Sequence, residues 1–77
     1  MSKIPVLKAF ELIIFLKSLG FEQVRQKGSH KFFRHPDGRT ATVPDHKGED
    51  LGRGIVKKIL KDIEATEEDL GDWFHRK

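Results

Sequence analysis

The sequence contains no cysteine, and that absence removes disulfides, thiolate nucleophiles and thiolate-ligated zinc together, while arguing for a reducing compartment. Long apolar runs are missing as well. The longest, Leu12 to Leu16, falls far short of the ~20 residues a bilayer-spanning helix needs, and no signal-peptide pattern precedes it, so the sequence predicts a cytoplasmic protein with no membrane partner. There is no phosphate-cradling P-loop, no dinucleotide fingerprint and no defensible pair of carboxylates. Length is scarce too: 77 residues hold one domain, and a core of this size rarely supplies more than ~3 to 5 kcal/mol, which argues against a large enclosed pocket.

What is present is charge, unevenly placed. The fifteen Lys and Arg against twelve Asp and Glu give a formal +3, but residues 1–61 carry thirteen basic and six acidic side chains, a local +7, and the remaining sixteen residues carry −4. A basic body attracts polyanions by counterion release and steering. The same surface also reads as a solvated, Lys-rich exterior.

Apolar spacing supplies the elements. Pro5 suits a first helical turn, and Ala9, Leu12, Phe15, Leu16 and Leu19 fall on one face of a helix running from Val6 to Leu19, stopped by Gly20. Phe10 and Ile14 lie outside that stripe, on the side of Lys17, and read as a widened buried face ahead of a docking patch. Phe21 to Gln26, His30 to Arg34 and Arg39 to Val43 read as three short strands. They are separated by Lys27-Gly28-Ser29 and by His35-Pro36-Asp37-Gly38, both turn chemistry. Pro44 ends the third strand, and Asp45 to Arg53 is a polar loop. Ile55, Ile59 and Ile63, with Val56 and Leu60, mark a second helix whose exposed side carries Lys57, Lys58 and Lys61. Thr66 and Asp69 resemble a capping box for a short acidic helix from Glu67 to Phe74, pinned by Trp73 and Phe74. The expected fold is α+β: a single small domain ordered helix, strand, strand, strand, helix. Its three-stranded antiparallel sheet carries the helices on one face, and a short C-terminal helix follows. The other sheet face stays open for function.

Chemistry concentrates at His30. It follows Gly28 and Ser29 at a strand-opening turn, where backbone amides, a hydroxyl and a glycine allow an anion to approach, and Lys27, Lys31 and Arg34 surround it. RNA carries its own nucleophile, the 2′-hydroxyl, so one base and positive charge on the phosphate suffice without metal. Because imidazole is the side chain that changes charge near neutrality, such a rate would vary between about pH 5 and 8. The competing reading makes His30 a hydrogen-bonded strand-end residue. Alternation groups His30, Phe32 and Arg34 on one side and Lys31, Phe33 and His35 on the other, and a one-residue slip would exchange the faces. With Phe33 packed inward, Phe32 can stack on an unpaired base and Arg34 can hold a phosphate. His46 orients substrate or simply caps the following helix. His30, His35 and His46 lack tight metal-ligand spacing, and no metal or other cofactor is expected. His75 lies in the tail and carries no signal.

The segments Leu19-Gly20-Phe21, Gly28-Ser29-His30, Arg34-His35-Pro36-Asp37-Gly38, Val43-Pro44-Asp45-His46-Lys47-Gly48 and Ile59-Leu60-Lys61, in that order, resemble the HicA toxin family. The resemblance spans roughly residues 3–63. It implies a fold similar to a double-stranded-RNA-binding domain. It also implies the toxin of a type II toxin–antitoxin system, a metal-independent endoribonuclease acting on messenger RNA and neutralised by a HicB-like antitoxin. It places the family's catalytic histidine on His30 as general base, with Gly28 and Ser29 at the phosphate and His46 on the histidine after the third strand. Residues 1–63 are then the HicA-like RNA-binding and ribonuclease domain, and 64–77 an acidic C-terminal extension forming a short helix of the same domain. The loop Glu49-Asp50-Leu51-Gly52-Arg53-Gly54 departs from a family pattern that is Lys-rich there. Two other classes stay open: a noncatalytic RNA-binding module of the same fold, and a protein-association domain using Phe10, Ile14 or the basic face.

Overall fold

The computed structural model describes Ile4 and residues 6–75; Pro5 lies outside the described residues. The chain forms β1 (Leu7–Lys8), α1 (Ala9–Ser18), β2 (Glu22–Lys27), β3 (His30–Arg34), β4 (Thr40–Pro44), β5 (Asp50–Leu51), α2 (Arg53–Asp62) and α3 (Glu67–His75). The expected succession of helix, three strands, helix and helical tail is present. β2, β3 and β4 make one antiparallel sheet in that order, and β1 pairs with β5 in a second, two-stranded one.

The first helix starts three residues later than its apolar spacing predicts. Leu7 and Lys8 are extended, paired with Leu51 and Asp50, and the Lys8 ammonium lies 3.0 Å from the Asp50 carboxylate. Glu11 reaches back to accept from the Lys8 amide at 2.9 Å. This is half of a capping box; lysine has no acceptor to complete it. The other end follows its chemistry. Gly20, at φ +98°, lets its own amide bond Lys17 and the Phe21 amide bond Leu16, the paired bonds of a Schellman stop. α2 ends the same way with Glu64 at φ +59°, where its amide bonds Lys61 and that of Ala65 bonds Leu60. α3 opens with the box anticipated from Thr66 and Asp69: each amide donates to the other's side chain at 2.9 Å.

Both long helices cover one face of the sheet. Phe33, Ala41 and Val43 from the sheet share a core with Leu12, Phe15 and Leu16 of α1, Val56, Ile59 and Leu60 of α2, and Leu70 of α3. Trp73 packs edge-on against Phe15 with ring centroids 5.5 Å apart, which ties the tail to the body. Four apolar residues depart from expectation. Leu19 and Ile55 are exposed rather than core, and Phe10 and Ile14 are 57% and 44% exposed rather than a widened buried face. The core is already filled by Ala9, Leu12, Ile13, Phe15 and Leu16, so that side of α1 is left uncovered by the described residues. Among the described residues, no helix is long and apolar enough to cross a membrane.

Candidate functional site

The sheet face away from the helices is uncovered, and strand register decides what lies on it. Phe33 is 1% exposed and opposite Ala41, so its neighbours on β3, Phe32 and Arg34, and His30 beyond, point to the open side. Three cross-strand rows result: Lys27, His30 and Pro44; Arg25, Phe32 and Thr42; Glu22, Arg34 and Thr40. His30 is exposed. Neither its imidazole nor the charged groups of Lys27 and Arg34 form an ion pair among the described residues.

Gly28 and Ser29 form the two-residue turn joining Lys27 to His30. Gly28 has φ +59° while Ser29 stays out of the left-handed region, the pattern of a tight hairpin that needs glycine first. Nothing lies within 4 Å of where a Gly28 side chain would project. The turn is braced by the Gln26 side-chain amide on the Gly28 carbonyl at 3.0 Å and by the Asp45 amide on the Ser29 carbonyl at 2.6 Å. A hairpin tip held at both residues therefore carries an exposed glycine, a half-buried hydroxyl and an exposed imidazole in succession.

A β-bulge at Val24 makes this face more basic than simple alternation allows. Gln23 pairs with Phe33 on the covered side, yet Arg25 pairs with Phe32 and Lys27 with His30. Unbroken alternation from Gln23 would turn Arg25 and Lys27 toward the helices. The extra residue reverses them, the re-aiming that bulges perform beside functional sites. The Arg25 guanidinium lies over the Phe32 ring, 4.6 Å from its centroid. Arg25 escaped the sequence reading because alternation alone does not reveal a bulge; no local signal marks it beyond Val24, an apolar residue in a strand otherwise polar throughout.

Lys31 does not join them. It sits opposite Val43 on the covered side, and its ammonium pairs with the Asp45 carboxylate at 2.7 Å, both side chains about three-quarters shielded. His35 lies on that side too, its ring tilted against Phe21 at 5.1 Å between centroids and its Nδ1 accepting from the Asp37 amide at 3.1 Å. His46 is exposed in the loop after β4, beside a hollow of about 130 Å3 lined with Pro44, Glu49, Asp50, Leu51 and Ile55. It follows by two residues Pro44, the strand partner of His30, so the two histidines' Cα atoms lie within about 13 Å. His75 is the last residue of α3. No group of three or more His, Asp or Glu with metal-holding geometry occurs among the described residues.

The Asp37 carboxyl is held by its own turn. The Arg39 amide donates to its carboxylate at 3.0 Å and the Arg39 guanidinium at 2.7 Å. Led by the amide, these hold its carboxyl below the usual range against the opposing effect of desolvation, with His35 adding to the lowering. Arg39 also bonds the Ile63 carbonyl, so this cluster ties the β3–β4 turn to the end of α2.

Residues 10–65 match the family model described as HicA toxin of bacterial toxin–antitoxin. The chain belongs to the HicA toxin family. A relative from Pseudomonas fluorescens (strain Pf0-1), described as Probable mRNA interferase HicA, is 35% identical over 57 residues, 74% of this chain and 93% of that protein. The family match covers the open face, the hairpin tip and both long helices, and ends just before α3. The HicA-like features thus lie in one continuous stretch, with the acidic α3 appended to it.

Proposed function

We propose that the chain is the toxin of a type II toxin–antitoxin pair and an endoribonuclease that cleaves messenger RNA without metal. The observation that carries this reading is the exposed, unpaired His30 on an open sheet face, between Lys27 and Pro44 and next to the Gly28-Ser29 turn. The relative's description as an mRNA interferase supports it. The imidazole accepts the proton of a 2′-hydroxyl, whose oxygen attacks the adjacent phosphorus. A 2′,3′-cyclic phosphate forms, and the 5′-oxygen departs and is protonated from solvent. Lys27 and Arg34 stabilise the growing charge on the phosphate, and the exposed backbone of Gly28 and hydroxyl of Ser29 position it. Because the substrate brings the nucleophile, a flat face serves as well as a pocket. A HicB-like antitoxin would inhibit by covering this face; a complex that left His30 open to solvent would contradict that mode.

Incubating the purified chain with single-stranded RNA in excess EDTA tests the activity. Products ending in cyclic phosphate are expected. Binding without cleavage would instead make the chain an RNA-binding module.

A further inference from the structure

The row beside His30 carries side chains that the cleavage chemistry leaves unused. Arg25, Phe32 and Thr42 are cross-strand neighbours on β2, β3 and β4. The guanidinium lying on the Phe32 ring accounts for itself as packing only in part. The pair sits on the uncovered face, where it adds nothing to the core. Arg25 arrives there only through the bulge at Val24. Its guanidinium makes no ion pair with any described residue, so its donors and outer plane face solvent.

A planar cation on an aromatic ring is a stacking platform, and Thr42, the cross-strand partner of Phe32, adds a hydroxyl to the same row. The ligand chemistry that fits is an unpaired nucleobase, which stacks on aromatic or guanidinium planes and offers its edge for hydrogen bonds. Bases inside a duplex have no free face to offer. Phe32 is two residues from His30 along β3, about 6.7 Å, which is of the same order as the repeat of an extended single strand. A phosphate held at His30 therefore puts a neighbouring base over this row. We propose that Arg25 and Phe32, flanked by Thr42, form a subsite that stacks one unpaired base of single-stranded RNA next to the phosphate at His30. The assignment rests on the reading of His30 as the phosphate site.

The probe is a single-stranded 2′-O-methyl RNA oligonucleotide, which has no free 2′-hydroxyl to react, together with copies lacking one base at a time. For the wild-type chain, one abasic position is expected to weaken binding roughly tenfold. Phe32→Leu, checked for folding by thermal melt, should lose a similar factor on the intact strand and lose nothing further at that abasic position. Arg25→Lys should lose most of it too, because it keeps the charge and removes the plane. Additive losses from Phe32→Leu and the abasic site, or equal binding of single-stranded and duplex probes, would overturn the subsite. The underlying reading fails separately: base-dependent binding by a chain that does not cleave unmodified RNA would remove the nuclease and leave the subsite standing.

Discussion

Phe32 and Phe33 are adjacent in sequence and face opposite ways, and the contrast between their surroundings organises the molecule. Around Phe33 the sheet is sealed by α1 and α2, with Ala41 and Val43 beside it. The charged Lys31 enters that side only by pairing with Asp45. Around Phe32 no described element covers the sheet, and the neighbours are Arg25, Lys27, His30 and Arg34. Stability and the proposed chemistry are thus divided across a single β-ladder, residue by alternate residue. A domain this small can hold a site because the site costs the core almost nothing. The price is that the site must be flat, which suits an extended polymer that supplies its own nucleophile.

The sharpest way to break this comparison is to truncate the two phenylalanines separately. Phe33→Ala should cost about 3 to 5 kcal/mol, as much as a core of this size is worth, and leave the chain largely unfolded by denaturant titration or circular dichroism. Phe32→Ala should stay within about 1 kcal/mol of wild type. Comparable losses from the two would mean that the open face is not open.

The cations offer a second, smaller contrast. Lys27→Met should weaken RNA binding and lower the slope of log affinity against log salt by about 0.7, with little change in melting temperature. Lys31→Met should do the reverse: near-normal salt dependence, and a stability loss of about 1 kcal/mol from its partly shielded partner Asp45. If Lys31→Met lowers the salt slope as much as Lys27→Met does, the two faces are not electrostatically distinct.

The smallest effect concerns the clasp behind the covered face. The Asp37 carboxyl is held below its ordinary range by the Arg39 amide above all. Its contribution is therefore present at neutral pH and is lost as acidification protonates the folded form, below about pH 4. Asp37→Asn should be slightly less stable than wild type at pH 7, and the gap should close toward pH 3. A gap that widened on acidification would reverse the sign of this account.

Much of this division was legible in the residues themselves. The Gly20 stop, the limits His30 to Arg34 and the Thr66–Asp69 cap all follow from chemistry within a few positions in the chain, whereas alternation left open which of Phe32 and Phe33 turns inward. The rest depended on contacts made at a distance. Leu7 and Lys8 leave the helix because Asp50 and Leu51, more than forty residues away, pair with them. Phe10 and Ile14 stay exposed because helical spacing records which residues are apolar and is silent on whether anything packs against them. Among the residues of the open face, His30 was conspicuous as the one imidazole at a glycine turn. Arg25 was hidden, because a bulge that reverses a strand's faces leaves no pattern in the strand itself.

The proposed role of His30 as the base of a reaction that needs no metal is tested most directly by RNA cleavage in EDTA by wild type and by His30→Ala, with the fold of both checked by circular dichroism. The expected result is cleavage by wild type, none by the folded variant, and RNA binding nearly unchanged between them. Undiminished cleavage by His30→Ala would contradict it.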